Sequence, residues 1–119
     1  MKIKSNSYPI KLASNLIDAY QSEGFVLTPD VLSESELDQF GAAVDLEVRR
    51  RTAHDKREIG EKSTYEQSFI QCMRLWETDM TVRKLTCHPG LAGIAAQLMG
   101  VDTVRLWQDQ ALYRKLVVV

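Results

Sequence analysis

The sequence predicts a mixed α+β fold in a single domain that spans residues 1–119. Apolar residues recur at helical spacing over residues 12–23 and again from residue 34 onward, which predicts amphipathic helices. Between residues 101 and 113 the pattern changes to alternation, which is typical of a strand. With 119 residues, 45% of them hydrophobic, the chain can bury a core of moderate size.

The first helix is predicted over Leu12–Glu23. Gly24 is well placed to end it, because glycine adopts the left-handed conformation that closes many helices. The β-prone residues Phe25–Leu27 follow and stop at the turn cluster Thr28–Asp30. A short strand at a sheet edge is therefore predicted over Phe25–Leu27.

The second helix has the clearest start signal in the sequence. Ser33 as N-cap and Glu36 three residues later form a capping box, and Leu32 can pack against Leu37 as a hydrophobic staple. Arg49–Arg51 lie at the end of the helix. Their positive charges suit the negative end of the helix dipole, so a solvated helix end is favoured over an anion-binding site. The predicted apolar face contains Leu37, Phe40, Val44 and Val48.

The charged residues of the stretch 52–64 predict a mobile loop, because almost nothing in it can be buried and Gly60 loosens its backbone. His54, in this loop, is expected to be solvated. The apolar segment Phe69–Trp76 suits either a strand or a helix, and a strand is favoured.

Two helices are predicted after this segment. Thr78 or Asp79 caps a short helix that contains Val82 and Leu85. Pro89 opens a second helix that ends at Gly100, with the apolar face Leu91, Ile94, Ala95 and Leu98.

A long strand is predicted over residues 101–113, followed by the apolar residues Leu116–Val119. Gln108 and Gln110 share one of its faces with aliphatic residues, so their amides are expected to be hydrogen bonded or to point into a polar cavity. Trp76 and Trp107 are expected to be core or cavity-wall residues.

No catalytic residue and no metal ligand are assigned. A non-haem iron site needs two imidazoles and a carboxylate, usually starting with His-x-Asp or His-x-Glu, but Lys56 and Gly90 stand two places after His54 and His88. His88 is expected to cap or pack at a helix start. Cys72 and Cys87 are expected to be buried reduced thiols, in preference to a Cys72–His88 nucleophile pair.

The charge balance and the apolar runs limit the partners and the location. A formal net charge of -1 provides no field to attract nucleic acid or an anionic membrane surface. No signal peptide and no apolar run of membrane-spanning length are recognised, so a cytoplasmic protein is expected.

The order of these segments resembles the N-terminal half of the phytanoyl-CoA dioxygenase family over roughly residues 12–115. The matching segments are Gly24-Phe25-Val26, Val31-Leu32-Ser33, Phe69–Trp76, His88-Pro89-Gly90-Leu91, Leu98-Met99-Gly100 and Val104–Leu112.

The resemblance implies N-terminal helices and the first strands of a double-stranded β-helix, a jelly roll that this chain leaves incomplete. It implies Fe(II) and 2-oxoglutarate as cofactors of a hydroxylase for a small or lipid-like substrate. The family's iron motif would follow Val119, so the chain alone is expected to be inactive, with binding of either cofactor doubtful. Gln71 and Gln110 are the candidate cosubstrate contacts, and satisfying buried backbone groups is the alternative role for both.

A non-catalytic interaction module is the alternative function. An incomplete jelly roll has an open edge along Val104–Tyr113, through which the chain could bind a partner or associate with itself.

Overall fold

The computed structural model describes the backbone of residues 2–4 and all of residues 10–114. Its content of helices and strands confirms the α+β prediction. Short 3-10 turns are formed by Ile59–Glu61 and Leu75–Glu77. In chain order the other elements are β1 (Lys2–Lys4), α1 (Ser14–Glu23), α2 (Glu34–Thr52), α3 (Thr64–Ser68), β2 (Phe69–Met73), α4 (Met80–Thr86), α5 (Pro89–Met99), β3 (Thr103–Arg105) and β4 (Gln110–Arg114).

The strands form two separate antiparallel pairs. In the first pair β1 lies beside β3, with Ile3 opposite Val104. In the second pair β2 lies beside β4, with Cys72 opposite Ala111. The chain therefore crosses from one sheet to the other between Arg105 and Gln110.

The main core lies between α2, α4 and one face of the β2–β4 sheet. Val48, Cys72, Leu75 and Val82 are buried together at its centre. Because side chains alternate along a strand, Ile70 and Cys72 of β2 and Ala111 and Tyr113 of β4 share this inner face.

The helix α1 packs against α5 in a second layer. The side chain of Gln97 joins the two segments, since its Oε1 accepts from the Leu12 backbone N–H at 2.8 Å and its Nε2 donates to the Ile10 carbonyl at 2.9 Å. Gln21 adds a hydrogen bond of 2.6 Å to the Leu98 carbonyl.

Most of the predicted helix boundaries are confirmed, but α1 begins at Ser14, two residues after the predicted start at Leu12. Ser33 and Glu36 form the capping box of α2, Asp79 caps α4 and Pro89 opens α5. Gly24 and Gly100 close α1 and α5 with φ values of 83° and 67°, a region in which glycine is not strained.

The predicted apolar face of α2 is only partly correct. Phe40 and Val48 are buried, but Leu37 is 55% exposed and Glu47, which sequence reasoning did not assign to the core, is 3% exposed. The Glu47 carboxylate accepts hydrogen bonds from the Thr78 hydroxyl at 2.6 Å and from Arg51 Nε at 3.1 Å. A satisfied carboxylate therefore occupies a position that faces the core.

The end of α2 differs from the predicted solvated cluster. Arg49 and Arg50 are exposed, but the Arg51 guanidinium donates to the carbonyls of Met73 and Arg74 and to the Thr78 hydroxyl. Arg51 thus ties the last turn of α2 to the end of β2.

The strand predicted at Phe25–Leu27 is wrong. This segment is irregular and pairs with no described strand, and Phe25 and Leu27 are 73% and 81% exposed. β-prone residues form a strand only when a partner supplies the ladder, and the described part of the chain supplies none here.

The long strand predicted over residues 101–113 is also wrong. It is divided into β3 and β4 by residues 106–109, and Trp107, predicted to be a core or cavity-wall residue, is 86% exposed. Trp76 is half-buried beneath the Arg83 guanidinium. The apolar residues Leu116–Val119 lie outside the described residues.

Within the described ranges, none of the helices has the length and apolar character needed to cross a membrane.

Candidate functional site

The candidate site is the face of the β2–β4 sheet that points away from the core. The register and the alternation of side chains put three residues of each strand on this face. We call it the outer face, and it consists of Phe69, Gln71 and Met73 from β2 and Gln110, Leu112 and Arg114 from β4.

Gln71 lies in the middle of this face and is exposed. Its Oε1 accepts a hydrogen bond of 3.0 Å from the Tyr65 hydroxyl, and its Nε2 lies 3.5 Å from the Met73 sulfur. The Tyr65 ring packs against Phe69, with 5.1 Å between the ring centroids. The Gln71 amide is thus held in place by a neighbouring side chain and not by buried backbone groups.

Gln110 begins β4, directly opposite Met73. It is exposed, and it shares the outer face with Gln71. The structure thus brings the two candidate cosubstrate contacts onto one surface. Gln108, the other glutamine on the predicted strand, lies in the irregular segment before β4.

Arg114 was missed by sequence reasoning. It lies four residues after Gln110 and opposite Phe69, so its guanidinium belongs to the outer face, where it is exposed. The period of two that grouped Gln110 with Leu112 would have reached Arg114 if the predicted strand had been extended by one residue. Arg114 gives the outer face a permanent positive charge.

Asp109 anchors the start of β4. Its carboxylate accepts from the backbone N–H groups of Leu75 at 2.7 Å and Trp76 at 3.0 Å, and from the Thr86 hydroxyl at 2.8 Å. Its own carbonyl accepts from the N–H of Arg74, whose φ of 59° is left-handed. These bonds fix β4 against the end of β2 and so align the two halves of the outer face.

Tyr113 holds the inner side of the same sheet. Its hydroxyl donates a hydrogen bond to the Asp45 carboxylate on α2. Burial, together with this hydrogen bond, raises the pKa of Tyr113 to about 12. The phenol therefore stays protonated near neutral pH and continues to donate to Asp45.

The two histidines take the roles that the sequence predicted. His88 is buried at the start of α5, where its Nδ1 accepts from the Gly90 N–H and its Nε2 lies 3.0 Å from Glu36 Oε1. His54 is exposed in the loop after α2.

Both cysteines are free thiols. Cys72 is buried in the core, Cys87 is half-buried, and burial raises the pKa of each thiol. A thiol that is held protonated in this way is a weak nucleophile.

In the described part of the chain no three side chains of the His, Cys, Asp or Glu type come together as a metal site. The outer face has different chemistry, because it combines a guanidinium and two amides, one of them bonded to the neighbouring Tyr65 hydroxyl, with apolar side chains. Such a surface can bind a small anion, but it contains no group placed to act as an acid, a base or a nucleophile.

No protein-family model matches the chain, and neither a curated protein nor a solved structure is significantly similar to it. A functional assignment therefore rests on the order of the sequence segments and on the geometry of the outer face.

Proposed function

We propose that this chain is the N-terminal part of an Fe(II)- and 2-oxoglutarate-dependent oxygenase of the phytanoyl-CoA dioxygenase type, which hydroxylates a small or lipid-like substrate. In this proposal the β2–β4 sheet is the first part of the jelly roll. Its outer face forms part of the wall of the 2-oxoglutarate pocket. The observation that carries the proposal is the presence of Gln71, Gln110 and Arg114 on one uncovered sheet face.

The two faces of the sheet support this reading. The inner face is packed against α2 and includes Cys72, which is 7% exposed. The outer face is exposed at Gln71, Gln110 and Leu112. By the resemblance, helices pack outside the double-stranded β-helix, and the other side of the sheet lines its cavity.

The chemistry of 2-oxoglutarate matches the polar groups of the outer face. The molecule carries two carboxylates and a ketone, which need a cation and hydrogen-bond donors. Arg114 supplies a guanidinium that can bind a carboxylate through two parallel hydrogen bonds. The amides of Gln71 and Gln110 supply further N–H donors.

The described residues do not fit the iron. An iron site of this type requires two imidazoles and a carboxylate, whereas His88 is engaged with Glu36 and Gly90 and His54 lies in a distant loop. By the resemblance, the iron ligands come later in the polypeptide than the segment Val104–Leu112. No chemical step is therefore assigned to residues of this chain, whose role is to position the cosubstrate.

The dimensions of the molecule and its exposed apolar side chains also support the proposal that the chain is part of a longer polypeptide. The radius of gyration is 17.2 Å, compared with about 13.5 Å for a compact domain of this length. Among the described residues, large apolar side chains such as Trp107, Met80 and Leu112 are between 51% and 86% exposed. The rest of a barrel would cover surfaces of this kind.

The proposal is tested by reading all three frames of the coding sequence after the Val119 codon. It predicts a His-x-Asp motif, and expression of the joined polypeptide should give Fe(II)-dependent formation of succinate from 2-oxoglutarate. Absence of the motif from every frame, or a joined polypeptide that forms no succinate, would refute the oxygenase assignment.

Two glutamine variants of the joined polypeptide test the role of the outer face. Gln110→Ala should raise the KM for 2-oxoglutarate roughly tenfold, because a hydrogen bond to a charged group is lost. Gln108→Ala, a matched change at an exposed glutamine outside the strand, should leave the KM unchanged. Equal KM values for the two variants would show that the outer face does not contribute to binding of 2-oxoglutarate.

A further inference from the structure

The second edge of β2 is open. β2 pairs with β4 on one side, and no other described strand pairs with it. The segment Phe69–Met73 contains no charged residue, no proline and no glycine. An uncharged, β-prone strand with an open edge is a template for pairing with another chain.

A charged segment lies along this edge. We call residues 53–63 the strap, because they connect the end of α2 to the start of α3. Arg57 makes two hydrogen bonds to Asp55, at 2.9 and 3.0 Å, and reaches Glu66 of α3 at 2.8 Å. Lys62 lies 3.8 Å from Asp55. Lys62 and Ser63, at the end of the strap, are also hydrogen bonded to Gln67 and Glu66, so the bond between Arg57 and Glu66 is the one that joins the middle of the strap to the segment that leads into β2.

The strap and the edge enclose a small cavity. Its volume is about 230 Å³, and it is lined on one side by Asp55, Arg57, Lys62 and Glu66 and on the other by residues 69–71. Because the strap forms one side of this cavity and residues 69–71 form the other, we expect that a strand pairing with the edge must displace the strap.

The charges that flank β2 identify a second copy of this chain as the partner. Glu66 precedes the strand and Arg74 follows it, with the uncharged residues between them. In an antiparallel pair of identical strands centred on Ile70, position 74 of each copy is opposite position 66 of the other, so Arg74 comes to the end of the partner strand that carries Glu66. Each interface therefore brings two pairs of opposite charges together, which favours this register.

We propose that the free edge of β2 is a self-association surface for a second copy of this chain, covered by the strap as long as Arg57 holds Glu66. Arg57 within one copy and Arg74 from the second copy compete for the same carboxylate, and Arg74 exchanges its exposed contact with Glu77, at 3.5 Å, for this one. The inference goes beyond the proposed oxygenase and does not depend on it, since it uses only the strap, the edge and the flanking charges.

The proposal predicts how three variants change the dimer dissociation constant, measured by sedimentation velocity over a concentration series. Arg57→Gln frees Glu66 Oε1, while Oε2 still accepts from the Ser63 N–H, and should lower the constant roughly threefold to fivefold. Lys56→Gln removes the same charge from an exposed position of the strap without breaking the link, and should leave the constant as in wild type. Glu66→Gln also breaks the bond to Arg57, but it removes the carboxylate that Arg74 of the second copy would bind. This variant should therefore not strengthen the dimer.

Hydrogen exchange identifies the surface that pairs. In monomeric Arg57→Gln and Glu66→Gln, the amides of the strap should exchange faster than in wild type, whereas core amides such as Val82 keep their protection. In the Arg57→Gln dimer, amides of Phe69–Met73 should become protected, and adding Arg74→Glu should reverse the gain. Equal dissociation constants for Arg57→Gln and Lys56→Gln, or a dimer that leaves Phe69–Met73 unprotected, would overturn the proposal.

Discussion

His88 shows how one side chain joins two helices. Its Nδ1 accepts from the Gly90 N–H, so the proton of the neutral ring is on Nε2, which donates to Glu36 Oε1. Glu36 also accepts from the Ser33 N–H at 2.9 Å as part of the capping box. The starts of α2 and α5 are thus connected through one carboxylate.

The connection predicts an acid-dependent loss of stability. The hydrogen bond from His88 and the backbone N–H of Ser33 lower the pKa of Glu36. A carboxyl whose pKa is lowered by folding stabilises the protein above its unfolded-state pKa, about 4.3 for Glu. This stability is lost as the pH falls through the pKa of the folded protein.

Chemical unfolding at several pH values checks this prediction. The difference in the free energy of unfolding between wild type and Glu36→Gln should shrink as the pH falls from about 7 to about 3. Glu34→Gln, a matched change in the same helical turn without a bond to His88, should show a smaller dependence on pH. A difference for Glu36→Gln that stays constant over this range would contradict the assignment.

Local signals determined the elements that the sequence predicted correctly. The Ser33 and Glu36 pair, the Asp79 cap and the Pro89 start depend on residues within one helical turn, so their positions could be predicted without knowledge of the fold. The Ser63 and Glu66 capping box of α3 carried the same signal, but α3 was not predicted and Ser63 was included in the predicted loop. Mobility of residues 52–64 stays a prediction.

Long-range contacts determined what the sequence could not show. The strand predicted over residues 101–113 is interrupted because the Asp109 carboxylate bonds to Leu75 and Trp76, more than thirty residues earlier. Likewise, Glu47 is buried because Arg51 and Thr78 satisfy its carboxylate. The helical or alternating spacing of apolar residues does not reveal these hydrogen-bond partners.

The Glu47 network should contribute strongly to the packing of α2. The Glu47→Ala variant removes a buried carboxylate and leaves the Thr78 hydroxyl and the Arg51 Nε–H without this acceptor, so it should lower the free energy of unfolding by roughly 2 kcal/mol. Arg50→Ala breaks an exposed ion pair with the same carboxylate and should cost less than about 1 kcal/mol. Urea denaturation of the two variants measures both, and similar losses would refute the buried network.

At the scale of the whole molecule, the pairing of β2 with β4 creates the candidate site. The strands are about forty residues apart in sequence, and only their register brings Arg114 onto the same face as Gln71. The sequence predicted Gln71 and Gln110 through a family resemblance, and it missed Arg114 because the predicted strand stopped at Tyr113. Which face of a sheet is covered depends on packing that a strand pattern does not specify.

An amide-resolved NMR titration with 2-oxoglutarate of the joined polypeptide, in which the rest of the barrel completes the pocket, tests the central claim most directly. Millimolar 2-oxoglutarate should shift amide resonances of residues 69–73 and 110–114, and Arg114→Gln should abolish the shifts while Arg105→Gln, a matched change on β3, preserves them. Shifts confined to other parts of the chain, or shifts that survive in Arg114→Gln, would contradict the assignment of the outer face to the cosubstrate.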